Sequence, residues 1–227
     1  MINRSVFSVL LAAGFVWAQS RGASEVQIYP RHDRFAVSQT YEVDVEGRSV
    51  FTEKFKDVNL AQFGSSGKVQ VRARASAPVK ESSISPRSAG ITAIADGSML
   101  RFELDRPRQL VIKINGGERL FLFADPIDRD APVPGQAGVK KVREFGVDPT
   151  GQRVETARLQ QAIDQVAAAC GVLYFSPGLY LTGTLTLKSN LTLYLAGGAV
   201  LLGSTRAEDY PREGLLAKSR IKDDLEP

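Results

Sequence analysis

The sequence predicts an all-β protein in two parts, an amino-terminal β-sandwich followed by a solenoid of short parallel strands capped by one helix. Three observations carry that expectation. From about Ser24 to Pro126, short runs alternate apolar and polar residues, and Gly, Pro, Ser or Asp punctuate them every ten or so positions. A proline- and glycine-rich stretch, Asp125 to Gly138, then interrupts the pattern. Beyond it a single amphipathic run, Thr156 to Cys170, precedes four β runs joined by tight turns with no helix between them.

The runs of the first part are Val26–Tyr29, Tyr41–Val45 turning at Glu46-Gly47 into Val50-Phe51, Lys68–Ala75, Met99–Leu104, Gln109–Ile114 and Arg119–Phe123. In the cleanest of them Val69, Val71, Ala73 and Ala75 share one face, and Lys68, Gln70, Arg72 and Arg74 the other. A residue period of two places alternate side chains on opposite faces, which suits antiparallel sheets packed against each other. The Arg72/Arg74 stripe is the candidate carbohydrate-binding feature. A solvated strand face that discourages edge pairing explains the same residues more simply.

In the second part Leu159, Ala162, Ile163, Val166, Ala167 and Cys170 form one apolar stripe at helical spacing. Thr156 is expected to cap the amino end, Gly171 to end the helix in a left-handed conformation, and Cys170 to be a small buried hydrophobe there. The β runs expected are Val172–Phe175, Tyr180–Leu187, Leu191–Leu195 and Ala199–Leu202. The helix has a clear task, to cover the open end of the coil and hide its interior and unpaired strand edge.

The first eighteen residues read as an export signal: Arg4, an apolar run from Val6 to Val16, and a cleavage site at Ala18 ahead of Gln19. That run is shorter than the roughly 20 residues a membrane span needs. The expectation is a secreted or periplasmic protein with no membrane association after cleavage. Removing Arg4 and no acid lowers the formal charge from +4 to +3, mild enough to favour an acidic glycan without pointing to nucleic acid. Hydrophobic content of 43% and charged content of 24% are ordinary for a globular protein. The single cysteine excludes an intramolecular disulfide.

An ordered series in the second part resembles the amino-terminal signature of the polygalacturonase family, glycoside hydrolase family 28 of the pectate-lyase-like superfamily. It runs from Val142-Arg143-Glu144-Phe145-Gly146-Val147 through Gln161-Ala162-Ile163-Asp164 and from Gly171 to Gly183. It closes with Leu187 to Leu195, Gly198 to Ser204 and Asp209-Tyr210-Pro211, about a third of the chain. The first part, ending in Leu120 to Pro126, is similar to sandwich modules that precede some β-helix glycanases, including dextranase-like ones. The resemblance implies a right-handed parallel β-helix and metal-free hydrolysis of pectic galacturonan. The expected organisation is a signal at 1–18, a sandwich at 24–126, a linker at 127–138, a cap helix and first coils at 139–211, and a charged tail at 212–227.

The family's acidic stretch before the helix is replaced here by Asp148-Pro149-Thr150-Gly151 and Val154-Glu155-Thr156. The family's catalytic motifs (Asn-Thr-Asp, Asp-Asp, His-Gly and Arg-x-Lys) lie on later coils, beyond the equivalent of Asp209-Tyr210-Pro211, and none follows here in that pattern. Asp223-Asp224 sits in the charged tail, and His32, the only histidine, comes too early. Inverting hydrolysis needs an acid and a base about 6.5–9.5 Å apart, and Asp164, Glu208, Asp209 and Glu213 suggest no such pair. Ser-His-Asp chemistry, a zinc cluster, a calcium site and a phosphate loop all lack their residues. No catalytic residue, metal or cofactor is therefore assigned.

Asn190-Leu191-Thr192 fits the glycosylation pattern, although a turn role for Asn190 is simpler. The leading expectation is the amino-terminal portion of a secreted pectin-degrading hydrolase, a fragment inactive as written. The alternatives are a non-catalytic carbohydrate-binding or adhesion module, or a fragment of a polysaccharide lyase or epimerase.

Overall fold

The computed structural model describes residues 24–30, 32 and 34–210. The expected signal, the tail with Asp223-Asp224, Glu213 and Pro211 lie outside the described residues. Those described are mostly β-strand, with one α-helix and short 3-10 turns.

Twelve strands precede the linker: β1 (Glu25–Ile28), β2 (Ala36–Val37), β3 (Tyr41–Val45), β4 (Arg48–Val50), β5 (Thr52–Phe55), β6 (Val58–Ser66), β7 (Val69–Ala75), β8 (Ser82–Ser85), β9 (Ala93–Asp96), β10 (Met99–Leu104), β11 (Arg108–Ile114) and β12 (Arg119–Pro126). One sheet runs β2-β5-β6-β12-β11-β8 with β1 added on β6, and the other runs β4-β3-β7-β10-β9. Their inward residues share one core, in which Val69, Val71 and Ala73 of β7 meet Phe63, Leu110, Ile112, Leu120 and Leu122 of the first sheet. The alternation read in β7 is thus the alternation of its burial.

Two features depart from the expected antiparallel pattern. β6 was not legible as a strand, yet it is the longest in this part and sits at the centre of its sheet. Asn59 and Ser65 point inward on it and Gly64 interrupts it, so its apolar period is broken. β6 also pairs in parallel with β12, from Arg119 opposite Val58 to Pro126 opposite Ser65. Five strands, β7 to β11, drawn from both sheets, intervene between the two in sequence.

Residues 127–138 carry no strand or helix. After them come β13 (Val139–Lys141), β14 (Thr150–Val154), α1 (Thr156–Ala168), β15 (Val172–Phe175), β16 (Gly178–Thr182), β17 (Thr192–Leu195) and β18 (Ala199–Gly203). They pair only in parallel, as β13-β15-β17 and β14-β16-β18. The apolar stripe of α1 packs with Leu173 and Phe175 of β15, Tyr180 of β16, Val142 and Val147 in a second core.

The ends of α1 correct the sequence reading. Glu155 is the cap residue, without a side-chain capping bond, and Thr156 is already helical. The Thr156 hydroxyl instead accepts from the Gly183 N–H at 2.7 Å, tying the helix to the end of β16. At the other end Cys170, not Gly171, is left-handed (φ 51°), and the Gly171 N–H reaches the Val166 carbonyl at 3.0 Å. Cys170 is consequently exposed rather than buried. Gly171 is required by proximity, since a Cβ there would lie 2.8 Å from the Gly138 carbonyl oxygen.

The run expected to reach Leu187 stops at Thr182. Gly183 meets the Asp209 backbone so closely that a Cβ would stand 2.0 Å from its carbonyl oxygen, and this close crossing follows the strand's end directly. Leu187 is exposed beyond it. Asn190 holds the turn into β17 in a left-handed conformation (φ 62°).

Candidate functional site

The first sheet and the stacked parallel strands meet along a seam. Tyr29 and Pro30 follow β1, whose pairing with β6 sets Ile28 opposite Phe63 and so fixes where the chain leaves the sheet. They press on Gly197-Gly198, the turn between β17 and β18. A Cβ on Gly197 would lie 2.3 Å from Tyr29 Cδ1, and one on Gly198 would lie 2.6 Å from Pro30 Cγ. Glycine is what permits this approach, and Gly198 is also left-handed (φ 87°).

Two cavities open along the seam, and Gly198 borders both. The first, about 470 Å³, is lined by Tyr29, Gln62, Asp125, Asp128, Tyr174 and Tyr194, among others. Tyr174 and Tyr194 occupy matching positions of β15 and β17, twenty residues apart, because Leu173 and Phe175 take the alternate inward positions. Their rings stack with centroids 5.4 Å apart at 22°. The Tyr194 phenol is raised by burial, then by the charge of Asp128 and a hydrogen bond to it, with smaller effects from Tyr174 and Tyr29. Burial and then the Asp125 charge raise the Tyr29 phenol. Gln62 Nε2 donates to Asp125 Oδ2 at 2.7 Å, holding that carboxylate beside the cleft.

The second cavity, about 420 Å³, is bordered by basic rather than acidic side chains and is lined by His32, Arg34, Arg143, Thr150 and Gln152 among others. Arg34 donates to the Gly151 carbonyl. Arg143 hydrogen-bonds Tyr180, whose phenol is raised chiefly by burial and donates to the Ser176 carbonyl at 2.8 Å. Between them lies a smaller apolar cavity with Phe35, Phe51 and Phe123, where burial raises the Glu53 carboxyl.

Arg72 and Arg74 lie on the exposed face of β7 and line none of these three cavities. Arg72 stands opposite Asp44 on one neighbouring strand, and Arg74 opposite Glu42, with Nε 3.5 Å from the Glu42 carboxylate. The acids weighed in the second part serve local structure: Asp209 accepts from Ser204, and Glu208 pairs with Arg206 at 2.7 Å. Asp164 accepts from Gln160 at 3.0 Å on the exposed side of α1. Among the described residues no three His, Cys, Asp or Glu side chains group as a metal site. No described helix is long and apolar enough to cross a membrane.

No family model matches the chain. Over 73 residues it is 40% identical to an exo-poly-α-D-galacturonosidase of Dickeya chrysanthemi, a match covering 32% of this chain and 12% of that protein. The match spans only a small part of that protein's length. The chain is also similar to solved structures, two of which follow. Dex49A from Penicillium minioluteum superposes with a TM-score of 0.49 at 15% identity, covering 78% of this chain and 44% of that one. The family 28 exopolygalacturonase of Yersinia enterocolitica gives a TM-score of 0.32 at 21% identity, covering 83% and 31%.

The seam was missed in the sequence because the residues of its tyrosine-lined cleft come from five separated segments. The one legible signal was the recurrence of tyrosine at matching, outward places of two successive runs, Val172–Phe175 and Leu191–Leu195.

Proposed function

We propose that this chain is the amino-terminal portion of an exported pectin-degrading glycoside hydrolase, organised as a β-sandwich leading through a linker into the capped start of a right-handed parallel β-helix. The observation that carries the reading is the 40% identity over 73 residues to a galacturonosidase. Two sheets around one core support the sandwich, and strands that pair only in parallel support the coils. α1 serves as the cap, laying its apolar stripe over the first strands. Met1 to Ala18 act as the export signal, and the substrate is a polysaccharide, pectic galacturonan.

In this reading the chain itself performs no hydrolysis, because the carboxylates the family uses are not among its motifs. Loss of an acid/base pair removes orders of magnitude in rate. Purified residues 19–227, incubated with polygalacturonate, are expected to release reducing ends no faster than buffer. Release proportional to protein concentration would place an active site within this sequence and refute that part. Retention on polygalacturonate that weakens with salt is the expected sign of an acidic partner. Retention unaffected by salt would rule out the electrostatic contribution.

A further inference from the structure

We propose that the cleft lined by Tyr29, Gln62, Asp125, Asp128, Tyr174 and Tyr194 binds a neutral sugar unit of a glycan, and that it discriminates against uronic acid. This goes beyond the pectic reading, since it assigns a second, non-acidic specificity to a place remote in sequence from any catalytic motif of the family.

Three features of the cleft converge. Its volume, about 470 Å³, falls within the range typical of small-ligand sites. Tyr174 and Tyr194 are only partly buried although they stack on each other, so they offer an aromatic wall to a further flat, C–H-rich face. Asp125 and Asp128 bring acceptor-only carboxylates to the same space, where Asp125 accepts from Gln62 at 2.7 Å and Asp128 from the Asp130 N–H at 3.1 Å. An ionised carboxylate retains further lone pairs for hydroxyl donors, and a pyranose presents hydroxyls at its rim and C–H groups on its face.

The charge sets the specificity. No Lys, Arg or His is among the described residues that line this cleft. Arg129, which neighbours Asp128 in sequence, is committed to Glu25 at 2.7 Å. A uronate would bring a third carboxylate beside two that meet no cation among the described lining residues, and like charges at close range disfavour binding. A neutral hexose meets no such penalty.

The test is calorimetric titration of the whole chain, with EDTA present, using neutral tetrasaccharides (galactotetraose, maltotetraose and cellotetraose) and tetragalacturonate. At least one neutral sugar should bind, and tetragalacturonate should bind at this cleft at least about tenfold more weakly. Tyr194→Ala and Tyr174→Ala should each weaken neutral binding by about tenfold, the order expected for losing an aromatic face. Circular dichroism and the unfolding midpoint establish that the variants fold. Tyr194→Phe, which keeps the ring, should retain most of the binding. Asp125→Asn with Asp128→Asn should narrow the gap between neutral and acidic sugars.

The proposal is overturned if no neutral sugar binds, if folded Tyr194→Ala and Tyr174→Ala bind as well as the parent, or if binding appears only when calcium replaces EDTA, which would make the cleft a cation site. Tetragalacturonate binding that is as tight and is lost with the tyrosines would also overturn it. Polygalacturonate retention by the whole chain that survives Tyr194→Ala concerns the pectic reading alone, so the two ideas stand or fall separately.

Discussion

Replacing Phe175 with alanine should unfold the parallel-strand half while leaving the two-sheet half intact. Phe175 is fully buried on β15 and meets Tyr180 edge-to-face, with centroids 5.1 Å apart at 89°. Phenylalanine-to-alanine changes in cores cost about 3–5 kcal/mol. Natural domains hold only about 5–15 kcal/mol in total, and this half is the less well provided. Among the described residues its core comprises nine buried side chains, against nineteen in the two-sheet core. Its last strands, β17 and β18, are half-covered or exposed along their length, whereas β15 and β16 alternate with fully buried positions. The loss therefore removes a large share of the stability of residues 139–210.

The assay is brief proteolysis across a urea series, resolved by mass. The parent should show two transitions, the first releasing a protected fragment that ends within residues 127–138. Phe175→Ala should move that first transition to much lower urea and leave the second unchanged, and Phe175→Leu should move it less. A single shared transition, or a first midpoint that does not respond to Phe175→Ala, would refute the argument that the two cores are energetically separate.

Two further outcomes follow from particular contacts. Gly151 is left-handed (φ 67°), and a Cβ there would stand 2.5 Å from Leu179 Cδ2, so Gly151→Ala combines backbone strain with overpacking. It should cost roughly 2–5 kcal/mol, read as a shift of the first transition. Gly138→Ala should cost less, because its φ is 79° but its Cβ would meet nothing within 4 Å. Glu118 accepts hydrogen bonds from Lys54, Asn59 and Thr40, and these, with the Lys54 charge, hold its carboxyl down at about 2. A carboxyl lowered in the folded state stabilises fully above the ordinary glutamate value, and that contribution is lost as pH falls through the folded value. Acid unfolding of the two-sheet half should therefore steepen between about pH 4.5 and 2, and less so in Glu118→Gln.

Much of the architecture is local chemistry and was legible. The alternation of Val69, Val71, Ala73 and Ala75 fixes which face of β7 is buried, because successive side chains of a strand must point to opposite sides. The stripe from Leu159 to Ala167 likewise fixes the buried face of α1. The proline-rich stretch marks where neither pattern continues. Other features depend on partners far along the chain. β6 is a strand because β1, β5 and β12 supply its backbone bonds and the core accepts Asn59 and Ser65, with Asn59 bonded to Ser38 at 2.7 Å. Its own side-chain pattern does not declare it. Cys170 takes the left-handed position, and residue 171 must be glycine because the Gly138 carbonyl, far along the chain, leaves no room for a side chain there.

The sequence by itself determined the mostly β character, the position of the one α-helix among the described residues, the interruption near residues 127–138 and the stretch that matches a galacturonosidase. Each of these rests on spacing within a few residues or on an ordered motif. Only the tertiary structure decided the seam. Tyr29, Asp125, Tyr174 and Tyr194 come together because β1 pairs with β6, β12 lies beside it, and β15 stacks under β17. Nothing in the spacing of these four residues along the chain encodes that meeting, since it is set by sheet register and by the two glycines at 197 and 198 that let the halves touch.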